Sequence, residues 1–276
     1  MKGFNEKKKG WRWTLLVSIF VVVIILPLYM IAIGGFETIE DIFHKPPYLF
    51  PPDPTFEHYL DAFKIPMPYM KNSLIISFGV LIVVLSISLP AAFSLAKFNF
   101  LAKKTINFLF ALVQMLPYAA VIIPLFLIFT KLRLINNYIG AVLGISVFLI
   151  PFAVIILRAY MMSVPTGLIE AALIDGADYF MIFRSIILPL SSPGIASVSI
   201  LVFLLAWGNF IVPLAFIKER SLQPVSIGLY TFVGQYGVQW NKLMAGSMIY
   251  TIPPLIIALI AGKSIVAGLT AGAFKE

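Results

Sequence analysis

EAALIDGADYFMIFRSIILP, residues 170–189, interrupts an otherwise apolar chain with four charged side chains. From Leu168 onward, apolar or small residues fall at 168, 169, 172, 173, 176, 177 and 180, the spacing of one helix face. Glu170, Asp175 and Asp178 project away from that stripe. Ser163, Pro165 and Thr166 suit a helix start, and Glu170 in the first turn suits the positive end of the helix dipole. Gly176 is expected to bend or break the helix. A second piece, 179–187, then leads to Leu188-Pro189, where the residue before proline avoids helical dihedrals and ends it. Such a helix lies either on a membrane or in the groove of another protein. Helices on a membrane surface carry Lys and Arg to meet anionic lipid. Here three acids stand against Arg184 alone, which favours a basic protein groove.

The rest of the chain makes lipid part of its solvent. Its 276 residues are 61% hydrophobic and 12% charged, with mean hydropathy +0.99. A soluble domain is about half apolar and about a quarter charged. Apolar runs long enough to cross a hydrocarbon core occupy 13–33, 73–95, 106–129, 138–157, 194–217 and 245–261. Pro117 and Pro124 fall inside the third run, and Pro253-Pro254 inside the sixth. Prolines are tolerated there as kinks when neighbours or a cavity satisfy the freed carbonyls. Segment 34–72 is rich in proline and acid and is stiffened accordingly, with a short amphipathic helix expected at 56–63. Loop 160–192 joins runs four and five.

Charge sets the orientation. With six spans and both ends inside, the inner side carries net +7 and the outer side +1 of the total +8, the bias that membrane insertion favours. The basic residues before the first span hold the N-terminus in the cytoplasm, and that run is too long for a signal-peptide core and lacks a small-residue cleavage site. The expectation is an all-α membrane protein with six transmembrane helices and both termini cytoplasmic, multi-pass in the cell membrane. A basic tail, 1–12, precedes a single transmembrane domain, 13–276, with core spans over 69–263 and a tail at 263–276.

Several chemistries drop out. The chain has no cysteine, which closes disulfide and thiolate-metal readings. His44 and His58 lie in a proline-rich loop and read as loop residues rather than a metal pair. Gly262-Lys263-Ser264 resembles the end of a phosphate loop, but the first glycine of that motif is replaced by Ile257. Lys263 reads instead as a snorkelling anchor. No nucleophile–base set or carboxylate pair is visible, so no catalytic residue, metal or cofactor site is expected. No charge falls within an assigned span, unlike proton- and ion-coupled carriers, and no internal repeat is evident. Uphill transport would draw its energy from a partner. Gln114 and Tyr118 in span three, and Trp207 and Asn209 in span five, are the polar and aromatic candidates for a substrate path. Helix-to-helix hydrogen bonding is their competing role.

The opening stretch resembles the signature loop of binding-protein-dependent ABC importer permeases: E-A-A, three residues, G, nine residues, I, one residue, L-P. Glu170-Ala171-Ala172, Gly176, Ile186 and Leu188-Pro189 fill it, with Asp175 in its usual place. The closing GLTAG-x-x-K, Gly268 to Lys275, resembles that of the maltose-type inner permease subunit of the carbohydrate family. Asn72-Ser73, Trp207 and Pro253 fit the same family. Gly208 departs from it by separating Trp207 from Asn209, and Glu276 by replacing a terminal glycine.

The resemblance implies the type I ABC importer transmembrane fold in a permease subunit that binds no cofactor. A second homologous permease, two ATPase subunits holding ATP and Mg, and an extracytoplasmic sugar-binding protein are the implied partners, with membrane lipid and no nucleic acid. Glu170, Ala171, Ala172, Asp175, Gly176, Arg184, Leu188 and Pro189 are the implied ATPase-coupling residues, with Glu170 facing an arginine and Gly176 allowing close approach. The implied cargo is a di- or oligosaccharide such as maltose or trehalose. Glycerol-phosphate or another solute, and a stand-alone carrier, are the alternatives.

Overall fold

The computed structural model describes residues 3–64, 67–234 and 237–273, with side chains described for 11, 13–64, 67–234 and 237–260. The basic side chains at 2–12, Lys263 and the closing motif through Glu276 lie outside those described side chains. The helices are α1 (Gly3–Gly34), α2 (Ile39–Ile42), α3 (Glu57–Lys64), α4 (Met67–Lys97), α5 (Lys103–Met115), α6 (Tyr118–Lys131) and α7 (Tyr138–Met162). They continue with α8 (Thr166–Ile174), α9 (Tyr179–Leu190), α10 (Ser192–Trp207), α11 (Ile211–Phe216), α12 (Val225–Tyr230) and α13 (Trp240–Ala273). A short antiparallel pair joins Val233–Gly234 to Gly237–Val238.

Among the described residues, four helices, α1, α4, α7 and α13, are long and apolar enough to cross a membrane, and the count reaches six if each of two bent pairs is one span. The expected third span is one such pair. α5 and α6 meet at 105°, a break rather than a kink. Leu116 and Pro117 are both extended, with ψ 131° at each, because a residue before proline is pushed out of the helical region. Pro124 stays inside α6. The expected fifth span is also broken. α10 stops at Trp207, and α11 starts four residues later at Ile211. At its other end α10 meets α9 at 77°. α7 runs to Met162, so the loop expected from residue 160 begins inside a helix. The short helix expected at 56–63 is α3.

The chain divides into two compact units. In the unit of residues 68–228 and 253–276, α7 is the central helix. Its Ala141, Ile145, Ala153, Val154 and Leu157 are fully buried. Lipid tails are as apolar as leucine, so close contact rather than escape from water holds such helices together. Gly144 serves that contact: a Cβ there would stand 2.8 Å from the Phe216 ring of α11. Ser146, Ser197 and Ser199 donate to carbonyls four residues back, at 2.7–2.8 Å, which satisfies hydroxyls that lipid would leave unpaired.

Segment 216–225 is clamped by side chains at the ends of α4 and α7. Asn72, 4% exposed, donates to the carbonyls of Ser221 and Gln223, each at 2.8 Å, and accepts from the Tyr138 hydroxyl at 2.6 Å. Ser73 Oγ accepts from Val225 N–H at 2.9 Å. Asn136 Oδ1 accepts from the N–H groups of Lys218 and Glu219 at 3.1 and 2.9 Å.

In the unit of residues 1–67 and 229–252, Phe36 packs on Phe56 and Tyr59, and Tyr59 donates to the Ala32 carbonyl at 2.8 Å. Lys242 pairs with Asp61 at 2.7 Å. That hydrogen bond and the ammonium charge hold the Asp61 carboxyl below its ordinary value. Burial, aided by Asp41, pushes Glu37 above its own. His58 bonds Asn241 at 3.0 Å. His44 stacks on Tyr48 and lies 2.9 Å from the Pro46 carbonyl. Among the described residues no three His, Cys, Asp or Glu gather as a metal site.

Candidate functional site

The 160–190 segment is anchored at its start by two cations. Lys97 Nζ donates to the Val164 carbonyl at 2.6 Å, and Arg158 Nε to the Leu95 carbonyl at 3.3 Å. α8 then begins at Thr166 behind Pro165, without a side-chain cap. Ser163 donates to the Tyr160 carbonyl instead. Glu170 stands in the second turn, not the first, which removes most of the expected dipole contribution.

Gly176 ends α8 by geometry that glycine favours. Its φ is +86°, a left-handed value at which a Cβ is penalised. Gly176 N–H bonds the Leu173 carbonyl at 3.1 Å and Ala177 N–H the Ala172 carbonyl at 2.9 Å, the paired closure of a Schellman turn. Two residues on, Asp178 is extended and its Oδ1 accepts from Met181 N–H at 2.6 Å, capping α9. The elbow between α8 and α9 is therefore fixed from both sides. Asp178 is legible as a cap from its place before a helical run, as well as being one of the three acids of the segment. Asp178→Ala is expected to destabilise this elbow by about 1 kcal/mol, with Asp178→Asn largely neutral. Protease susceptibility of the segment in the assembled transporter is the check.

α9 does not end at Leu188-Pro189. Leu188 has helical dihedrals, φ −61° and ψ −48°, and the chain continues to Leu190. Residues 183–187 form a π-turn in which Leu188 N–H reaches the Phe183 carbonyl. The wider turn takes up the space and the missing N–H that proline brings, as bulges in kinked helices do.

The apolar stripe divides between the protein's own core and the outside. Ile169, Ala172 and Ala177 pack on the core, as do Ile182, Ile186, Ile187 and Leu188. Leu168, Leu173, Gly176 and Phe180 face out, joined by Ile174 at 86% exposure and Met181. Ile174 lies off the predicted stripe, so periodicity missed it. Glu170, Ala171, Asp175, Arg184 and Pro189 are exposed on the same segment.

A second cluster forms where the two broken spans meet. Tyr118, the first residue of α6, stacks on Phe148 of α7 with centroids 3.8 Å apart. Asn209, in the break before α11, donates to the Tyr118 hydroxyl at 2.9 Å, and its Oδ1 accepts from Val212 N–H at 3.1 Å. Its own carbonyl accepts from Ser226 Oγ at 3.1 Å. Gln114 donates to the Phe148 carbonyl at 3.2 Å. Gln114, Tyr118 and Phe148 line a cavity of about 150 Å³. The sequence named Gln114, Tyr118 and Asn209 as candidates, and the structure brings Tyr118 and Asn209 into contact and adds Phe148. Trp207 is 3% exposed and lies against Phe203, away from that cavity's lining.

Broken spans, an elbow presented outside the core and a polar cluster at the breaks are the arrangement of a multi-pass helical membrane protein. The chain belongs to the family of binding-protein-dependent transport system inner membrane components, whose pattern matches residues 87–271. It is 31% identical over 269 residues to the diacetylchitobiose uptake system permease protein DasC of Streptomyces coelicolor, covering 96% of this chain and 98% of that one. It is 35% identical over 226 residues to the trehalose/maltose transport system permease protein MalG of Thermococcus litoralis, 80% and 81% of the two chains. Its fold matches a crystal structure of a bacterial ABC transporter that imports the acidic polysaccharide alginate, with TM-score 0.79 and 19% identity over 95% of this chain and 98% of that one. The chain is the inner-membrane permease subunit of an ABC importer, and ATP hydrolysis belongs to a separate subunit.

Proposed function

We propose that the chain forms half of the translocation path of an ATP-driven importer of di- or oligosaccharides, with both termini cytoplasmic. Residues 170–189 pass the motion of an ATPase subunit to the spans. The observation that carries this reading is the elbow at Gly176, where one face of the segment packs on the core and Ile174, Phe180 and Met181 are left exposed beside Glu170. An apolar ridge edged by acid fits a protein groove with a basic residue better than it fits lipid. The sugar assignment rests on relatives that handle diacetylchitobiose and trehalose or maltose. The partners are a second permease, two ATPase subunits that hold ATP and Mg, and an extracytoplasmic binding protein.

Glu170→Ala is expected to lower uptake and ATPase association roughly tenfold, the weight of one charge-assisted hydrogen bond, while the permease stays in the membrane. Unchanged uptake together with unchanged co-purification of the ATPase would refute the docking role. Gln114, Tyr118 and Asn209 are the proposed path residues, exchanging their present bonds for sugar hydroxyls when α6 and α11 separate. Trp207 would join them only if α10 moves. Ligand analysis of the binding protein encoded with this chain identifies the cargo.

A further inference from the structure

A groove of about 640 Å³ runs beside the final turns of α4. Its floor is Ser86, Pro90 and Ser94, spaced four apart on one helix face. Phe93 and Phe98 flank it, and Tyr179, Phe180 and Phe183 of α9 form the far wall. Phe98–Tyr179 and Phe93–Phe183 ring contacts, at 4.8 and 5.2 Å, tie the two walls together. We propose that this groove binds one acyl chain of an anionic membrane phospholipid, with the headgroup at Lys103.

Length and charge support that occupant. From Ser86 to Phe98 the groove follows α4 for about 18 Å, close to the depth of one leaflet's hydrocarbon, about 15 Å. An extended hydrocarbon chain can follow that length.

The cation is placed at the end where a headgroup belongs. Lys103 Nζ donates to the Phe98 carbonyl at 2.9 Å and to Asn99 Oδ1 at 3.4 Å. An ammonium has three N–H donors, so one remains for a phosphate oxygen. Lys104 is exposed next to it. A lipid seated here would brace α9 against α4 and so tune the elbow. That consequence rests on the proposed docking role, but the site itself does not.

The test uses the assembled transporter, purified in mild detergent from membranes containing phosphatidylglycerol and a zwitterionic phospholipid, with retained lipid measured by mass spectrometry. Wild type is expected to retain phosphatidylglycerol in preference. Ser94→Trp fills the floor and is expected to lose the retained chain. Lys103→Gln is expected to keep lipid but to lower the preference about fivefold, the weight of one cation at an anionic surface. Equal retention in Ser94→Trp overturns the acyl site, and an unchanged preference in Lys103→Gln overturns the headgroup contact. If Ser94→Trp does not assemble, Lys103→Gln decides alone. The chain has no cysteine, so Ser94→Cys gives it a single thiol. Efficient crosslinking of that thiol to the second permease would mean protein covers the groove, and would overturn the proposal.

Discussion

A Gly176→Pro permease is expected to reach the membrane at normal abundance and to lose ATP-driven uptake roughly tenfold or more. Proline fixes φ near −65°, whereas this position sits at +86°. It also removes the N–H that closes on the Leu173 carbonyl. The elbow between α8 and α9 then loses its angle, and the exposed ridge no longer meets a groove shaped for it. Gly176→Asn separates two reasons for glycine, since asparagine tolerates the left-handed region. Within this chain nothing lies within 4 Å of a Cβ at 176. If Gly176→Asn transports normally, glycine serves the dihedral alone. If it fails while the elbow persists, the ATPase approaches closer than a side chain permits. Uptake by reconstituted transporter and co-purification of the ATPase are the two measurements. Wild-type values for both in the proline variant would falsify the coupling assignment.

Asn72→Leu is expected to destabilise the permease by about 3 kcal/mol, because two carbonyls lose their donor and a phenol loses its acceptor at a buried site. Leucine keeps similar bulk, so the loss reports hydrogen bonding rather than a cavity. Tyr138→Phe alone removes one of the three bonds. The double variant should lose less than the two single losses combined, because removing both partners of a bond leaves no unpaired group. Thermal unfolding of the purified complex checks the cycle, and strict additivity would show that Asn72 and Tyr138 do not act together. The clamp holds segment 216–225 directly after α11, so Asn72→Leu is also expected to loosen the half-helix that Asn209 caps.

Some of this was legible in residue order. Runs of apolar sequence located the helices because lipid demands about twenty such residues in a row. The Glu170–Pro189 spacing marked out the segment proposed to dock the ATPase, because Gly176 and its neighbours act through local dihedrals and short-range bonds. The exposed Ile174 was not legible, because it stands in the last turn of α8 off the apolar stripe, and only packing decides which side of that helix meets the core. The continuation through Leu188-Pro189 was hidden for a similar reason. A proline predicts an end unless a π-turn absorbs it, and this one lies between Ile182 and Ile187, both fully buried in the core.

The amino-acid order by itself determined a multi-pass helical permease and marked 170–189 as the segment proposed for coupling, since hydropathy and local motif are properties of neighbours in the chain. Tertiary structure alone decided that spans three and five are broken. It also decided that Tyr118 and Asn209, 91 residues apart, share a hydrogen bond, and that Asn72 reaches Ser221 and Gln223 across about 150 residues. The Tyr118–Asn209 pair joins side chains from two broken spans, which must find one another because the bilayer offers them no water, and the Asn72 side chain, 4% exposed, finds in its two carbonyls the partners a buried amide needs.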